Sequence, residues 1–299
     1  MRRFLAIGEC MVEMAPETDG RYRLGFAGDT FNTAWYMRQL AGPQVRVGYL
    51  SAIGDDAMSR RMADFMADAG IEAALAVRPG ETIGLYVISL DRGERSFSYW
   101  RSASAARHLA DDLTDLTHLS PGDMAYVSGI TLAILPDAGR RRLISALGRA
   151  AADGAHVAFD PNLRPALWRD ADLMRRRIME AAGTADIVLP SFDDESAHFG
   201  DGDQQATAER YAAAGAATVL VSNGAKDILI RSGGTVRMIA TDPAEDVVDT
   251  TAAGDSFNAG ALCALAGGAS AEEAARRGAA VARQVIAARG ALVPLRSEG

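Results

Sequence analysis

An α/β fold with a mostly parallel central sheet and a small β appendage is predicted by three features of this sequence. Apolar strands alternate with helical stretches through the second half, a hairpin pattern interrupts the first, and a glycine-stopped helix follows a small-residue loop near the C-terminus. With 299 residues, 48% of them hydrophobic and 23% charged, the chain can bury a core large enough for one such domain.

MRRFLAIG reads as the first strand, and Glu9 and Glu13 interrupt its apolar run before a signal core or membrane span can form. LYVISLDRGERSFSYWR reads as two strands about a turn at Asp91 to Glu94. A period of two places Phe97, Tyr99 and Arg101 on one face of the second strand, and Tyr86 and Ile88 on one face of its partner. Aromatic and cationic groups on one hairpin face suit a lid over a polar, anionic ligand; they equally suit a half-buried strand whose long side chains pack and snorkel.

The second half then runs MAYVSGI, a helical stretch from Pro136 to Asp153, HVAFD, a helix near Asp170 to Ala182, ADIVLP, a helical stretch through Ala213, and ATVLVS. That rhythm implies parallel strands covered by helices, with ligands bound beyond the carboxyl ends of the strands. The residues placed there are Asp160-Pro161-Asn162, Ser191 and Ser222-Asn223-Gly224.

Composition removes several function classes. A net charge of -8 leaves no basic surplus to neutralise nucleic-acid phosphates or an anionic membrane, and the run Arg140 to Arg142 reads as a solvated helix face. Cys10 and Cys263 lie in apolar or helical stretches, which fits packing roles and a cytoplasmic protein rather than a disulfide framework. The four histidines lack metal-ligand spacing, so any metal is expected to be oxygen-bound. No GxxxxGK[ST] loop occurs, and no GxGxxG follows the first strand.

The chemistry-bearing stretch is DTTAAGDSFNAG, Asp249 to Gly260. Ala252, Ala253 and Gly254 carry side chains small enough for an anion to reach their N–H groups, and Asp255 opens an apolar helix ending at Gly267 and Gly268. The helix N-terminus favours a phosphate and is expected to keep the Asp255 carboxylate ionised, which makes Asp255 a candidate general base. The alternative is that Thr250, Thr251 and Asp255 cap an ordinary helix.

DTTAAGDSFNAG resembles the C-terminal signature of the ribokinase-like, PfkB-type sugar kinases, AGDTFNTA resembles their substrate motif, and SNGAKD resembles their nucleotide loop. The resemblance runs from Gly8 to ARGALVP near the C-terminus. Within the family, GERSFSYWR, DPNLRPALW and LPSFDDE make the chain most similar to 2-keto-3-deoxygluconate kinases. The resemblance implies one three-layer α/β/α domain over 1–299, with a β lid from roughly 12–26 and 80–103. It also implies ATP-dependent phosphorylation of a sugar acid with Mg²⁺, with room for a monovalent cation and a homo-oligomer joined as a dimer through the lid. The rivals are fructose, ribose or a nucleoside as substrate, or a catalytically silent sugar-binding protein.

Carried onto this sequence, the resemblance makes Asp255 the base and Ala252, Ala253 and Gly254 the anion cradle. Relatives have glycine where Ala252 stands, so a negative φ is expected there. Gly28, Asp29 and Asn32 are assigned to sugar hydroxyls, with Gly28 permitting close approach. Tyr86, Tyr99, Arg101 and Arg164 are assigned to the carboxylate end, where a guanidinium donates two parallel bonds, and Arg164 also to ATP phosphates. Asn162, Ser222, Gly224, Asp227 and Asn258 fall on the nucleotide side, Asp227 replacing a common glycine. Ser191 replaces the family's metal-motif asparagine, so the Mg²⁺-organising acid is Asp194 or Glu195, with Glu195 favoured.

Overall fold

The computed structural model describes residues 1–91, 94–244 and 246–296, so the expected turn between Asp91 and Glu94 lies outside the described residues at 92 and 93. In chain order the first half comprises β1 (Arg3–Ile7), β2 (Met11–Pro16), β3 (Tyr22–Ala27), α1 (Asp29–Leu40), β4 (Arg46–Ile53), α2 (Ala57–Asp68), β5 (Glu72–Val77), β6 (Leu85–Asp91) and β7 (Glu94–Trp100). The second half comprises β8 (Met124–Ser128), α3 (Gly129–Ile134), α4 (Asp137–Ala152), β9 (His156–Asp160), α5 (Ala171–Ala182), β10 (Ile187–Val188), α6 (Phe192–Phe199), α7 (Gln204–Ala214), β11 (Thr218–Val221), β12 (Ile228–Ser232), β13 (Thr235–Ile239), α8 (Ala253–Ala266) and α9 (Ala271–Ile286).

The large sheet has the order β13-β12-β11-β10-β9-β8-β1-β4-β5 and is parallel from β11 through β5. Alternation along central β1 builds the layers. Phe4 and Ala6 pack into one core cluster with Tyr49, Tyr126 and Phe257, while Leu5 and Ile7 pack into the other with Val127, Phe159 and Leu147. Apolar residues on both faces of one strand demand helices on both sides of the sheet, which gives the three-layer α/β/α architecture. The second sheet, β3-β2-β6-β7, is the small β appendage; it is antiparallel except where β2 runs parallel to β6.

The sheet departs from the alternating pattern at its end. β12 and β13 are antiparallel strands turned at Gly233 and Gly234, whose φ of 56° and 78° suit a tight glycine turn. The helical stretch through Ala213 is two helices, parted where Gly200 takes a left-handed φ of 78°. Arg140 is not a solvated residue: it is 6% exposed, donates to the carbonyls of Leu132 and Leu135, and lies over the Trp168 ring.

Acid or serine side chains cap α2, α5, α7 and α9 through Asp56, Asp170, Asp203 and Ser270. α1 and α8, like α4 and α6, begin without a side-chain cap. Their first N–H groups are therefore left for something other than the protein's own side chains.

Candidate active site

α1 brings Asp29 and Asn32, and α8 brings Asp255 and Asn258, to the point where β9 ends in Asp160. Three carboxylates gather there, each accepting from an asparagine amide. Asn32 Nδ2 donates to Asp255 Oδ2, Asn162 Nδ2 to Asp29 Oδ2 and Asn258 Nδ2 to Asp160 Oδ2, each at 2.8 Å. A neutral amide orients a carboxylate without cancelling its charge. The buried Tyr126 hydroxyl joins Asn258 at 3.1 Å to Asp160 at 3.4 Å, while Thr33 Oγ1 donates to the Asp255 carbonyl at 3.2 Å.

Burial and crowding raise the proton affinity of Asp255 and Asp160. Burial, and then the neighbouring Asp29 carboxylate, push Asp255 well above the usual carboxylate range, and the same two causes bring Asp160 to about 7. The helix dipole expected to keep Asp255 ionised is outweighed by these two effects. Arg164 is the cation whose field opposes them at both acids.

These bonds give protein partners to three residues expected at ligands. Asn32 donates to Asp255 and accepts from the Gly28 N–H at 3.3 Å, so its amide orients the acid. Asn258, 3% exposed, is turned onto Asp160 and Tyr126. Asn162, held at a φ of 33°, is turned onto Asp29.

The loop before α8 is fastened by Asp249, which accepts from the Thr251 N–H at 3.0 Å and hydroxyl at 2.7 Å and from the Gly290 N–H at 2.7 Å. Ala252 does not take the expected negative φ: at φ 59°, ψ 18° it is left-handed, a conformation that costs an alanine about 1–2 kcal/mol. The tight turn over Thr250 to Ala253 demands it. The same turn engages the Ala253 N–H on the Thr250 carbonyl at 3.2 Å, which removes Ala253 from the expected cradle. Among the described residues, the N–H groups of Gly254 and Asp255 have no backbone acceptor outside the helix. A Cβ on Gly254 would meet no atom within 4 Å, so protein packing does not require a glycine there. The capping alternative fails, because α8 has no side-chain cap bond.

Across the cleft, Tyr86 pairs with Tyr99 between β6 and β7, their ring centroids 5.8 Å apart, and the Arg101 guanidinium lies 5.8 Å from the Tyr99 centroid. Tyr86 is 7% exposed and its hydroxyl donates to Glu13, so that hydroxyl is not free to read a ligand carboxylate. Tyr99 is 52% exposed. Arg101 pairs with the buried Glu9, and exposed Arg164 with Asp194 at 3.3 Å, so the two arginines expected at one carboxylate hold different acids. Gly28 serves a close approach, but by the chain itself: a Cβ there would stand 2.1 Å from the Glu9 carbonyl oxygen.

On the other side of the acid cluster, Ser222 follows β11 and bridges to Ser191, while Gly224, at a φ of 56°, and Asp227 are exposed. Gln204 organises this loop, donating to the carbonyls of Val221 and Asp227 at 3.0 Å and accepting from Asn223 at 3.4 Å. Nothing local in the sequence marks Gln204 for that task. Glu195 is not presented to the cleft. It has no exposure, Arg210 and the Tyr211 hydroxyl donate to its two oxygens at 2.7 and 2.9 Å, and burial lifts it to about 7 against the pull of Arg210. Asp194, 36% exposed beside Arg164, is the acid of the two that faces outward. No cluster of three or more metal-ligating side chains occurs among the described residues.

The chain is 39% identical over 298 residues to a 2-dehydro-3-deoxygluconokinase of Dickeya dadantii, covering 97% of this chain and 96% of that one. It is 38% identical to the Escherichia coli protein of the same description, covering 98% and 97%. Its fold superposes with a TM-score of 0.83 on a Vibrio cholerae fructokinase crystallised with fructose, ADP and calcium, at 24% identity and with 98% and 95% of the two chains covered. The sequence matches the model of the pfkB family of carbohydrate kinases over residues 1–298, and the chain belongs to that family.

Proposed function

We propose that the protein is an ATP-dependent kinase that phosphorylates the terminal hydroxyl of 2-keto-3-deoxygluconate, giving 2-keto-3-deoxy-6-phosphogluconate. The observation that carries this reading is the juxtaposition at the start of α8: a carboxylate oriented by Asn32 beside backbone N–H groups facing open space. The near-full-length relatives described as 2-dehydro-3-deoxygluconokinases support the substrate.

In this mechanism Asp255 accepts the hydroxyl proton as the sugar oxygen bonds to the γ-phosphorus and the bond to the ADP oxygen breaks. Its raised proton affinity makes the ionised carboxylate a stronger base than a surface acid. The amides of Gly254 and Asp255 meet charge developing on the transferred group. Arg164 stands where both an acid sugar and phosphates can reach it. Ser222, Gly224 and Asp227 line the nucleotide side, and Arg101 and Tyr99 the sugar-acid side.

The donor set suits a Mg²⁺ that keeps water and phosphate oxygens as most of its ligands, with Asp194 the outward acid that would hold its waters. Such an ion supplies positive charge to the phosphate oxygens. A homodimer through the lid belongs to the same reading, supported by Tyr22 and Trp100, 46% and 60% exposed on its edge strands. No helix among the described residues is long and apolar enough to cross a membrane, and a cytoplasmic kinase is proposed.

The test is ADP release with 2-keto-3-deoxygluconate, its galactonate epimer, fructose and ribose in one panel. Turnover confined to the neutral sugars refutes the substrate. Tight sugar binding without turnover identifies a silent sugar-binding protein.

A further inference from the structure

Glu9 has no part in the phosphoryl transfer described above, yet it is 3% exposed and lies against the lid arginine. Its Oε2 accepts from Arg101 Nη2, while its Oε1 and the Arg101 Nε have no hydrogen-bond partner among the described residues. Two orphaned polar atoms on either side of one ion pair describe a contact that uses half of what each group offers. Among the described residues, Arg101 is the cation whose field reaches Glu9 most strongly. Asp29 faces Glu9 from the start of α1, Ser104 and Arg101 from the segment after β7, Tyr49 from β4, and Cys10 from its own loop. Burial pushes the Glu9 carboxyl up and Asp29 adds to this, while Arg101 and Ser104 pull it down.

We propose that Glu9 is the internal stand-in for the substrate's carboxylate, holding Arg101 until the sugar acid displaces it and then taking up a proton from solvent. The inference rests on the reading of Arg101 as a receiver of that carboxylate. Once the guanidinium turns to the ligand, Glu9 is left buried between Asp29 and the incoming anion without that cation, and an unpaired buried charge is removed most easily by protonation. A neutral sugar brings no carboxylate, so the Glu9–Arg101 pair stays closed and no proton is needed. Glu9 thereby lowers the apparent affinity for the acid by the fraction of Arg101 it holds, and makes binding of that acid, and of no neutral sugar, proton-linked.

The experiment is isothermal titration calorimetry of the full chain with 2-keto-3-deoxygluconate at pH 7.5, in two buffers of different ionisation enthalpy. The wild type is expected to take up close to one proton per sugar. Glu9→Gln is expected to abolish that uptake and bind the acid more tightly, by roughly tenfold, with the advantage shrinking as pH falls. A wild type that takes up no proton overturns the proposal without reference to any variant. So does Glu9→Gln with unchanged uptake or weakened binding. Fructose titrated in the same buffers is the control, and uptake equal to that with the acid also overturns the proposal. Absence of sugar-acid binding by the wild type instead brings down the substrate reading on which the inference depends.

Discussion

Replacing Gly254 with alanine is expected to raise the stability of the protein and lower its turnover. The residue lies in the first turn of α8, outside the left-handed region, and a Cβ there meets no atom within 4 Å, so the methyl group introduces no clash. Removing glycine's backbone freedom from a helical position contributes about 0.5–1 kcal/mol. For a chain of this size that is a rise of roughly 1–4 °C in Tm. The same methyl fills the space through which a phosphoryl oxygen reaches the Gly254 N–H, and losing one such donor costs about 10²–10³ in kcat. Thermal melts and ADP release at saturating substrates read the two effects independently. Turnover within about threefold of wild type refutes the idea that the anion approaches over Gly254. A lowered Tm refutes the open space. Gly28 marks the contrast: the same substitution there drives a methyl to 2.1 Å from a backbone oxygen and has no route to stabilisation.

Asp255→Asn is expected to lower kcat by on the order of 10²–10⁴ while sugar affinity, read by calorimetry, changes little. The new carbonyl still accepts from Asn32, and only the capacity to take a proton is lost; near-normal turnover removes Asp255 from the role of base. Asp160 makes stability depend on pH. Its folded pKa of about 7 exceeds the ordinary carboxylate value, so the folded state binds more protons between about pH 4 and 7. Its stabilising contribution is fully present below that window and lost as pH rises through 7, at up to about 1.4 kcal/mol per pH unit. Urea midpoints of the ligand-free protein are expected to fall more steeply with pH in the wild type than in Asp160→Asn, and equal slopes contradict the burial argument.

The sequence made the local features legible because their signals are local. α4 falls within a residue of the stretch read from Pro136 to Asp153, β9 coincides with HVAFD, and β6 and β7 occupy the expected hairpin. The Gly-Gly turn between β12 and β13 was present as a signal, but the alternating rhythm before it directs attention to parallel strands. Partnerships are harder to read. Asp194 and Glu195 are adjacent on α6, so their side chains point about 100° apart, and only the packing of Arg210 and Tyr211 from α7 decides which turns inward. Asn32 and Asn258 sit at positions suited to ligands, and nothing near them in sequence announces that carboxylates from other elements take their amides. Ala252 shows a different limit, since its sequence alone favours a negative φ and only the closure of the turn imposes the left-handed one.

The three asparagine clamps join residues 98, 133 and 223 positions apart. Contacts so distant along the chain carry the full entropic cost of loop closure and are among the last to be made during folding. No short fragment contains the whole site: the proposed base comes from the last sixth of the chain and the amide that aims it from the first. Catalytic competence therefore reports the completion of the whole molecule, and a refolding chain regains its helices and strands before it regains its chemistry.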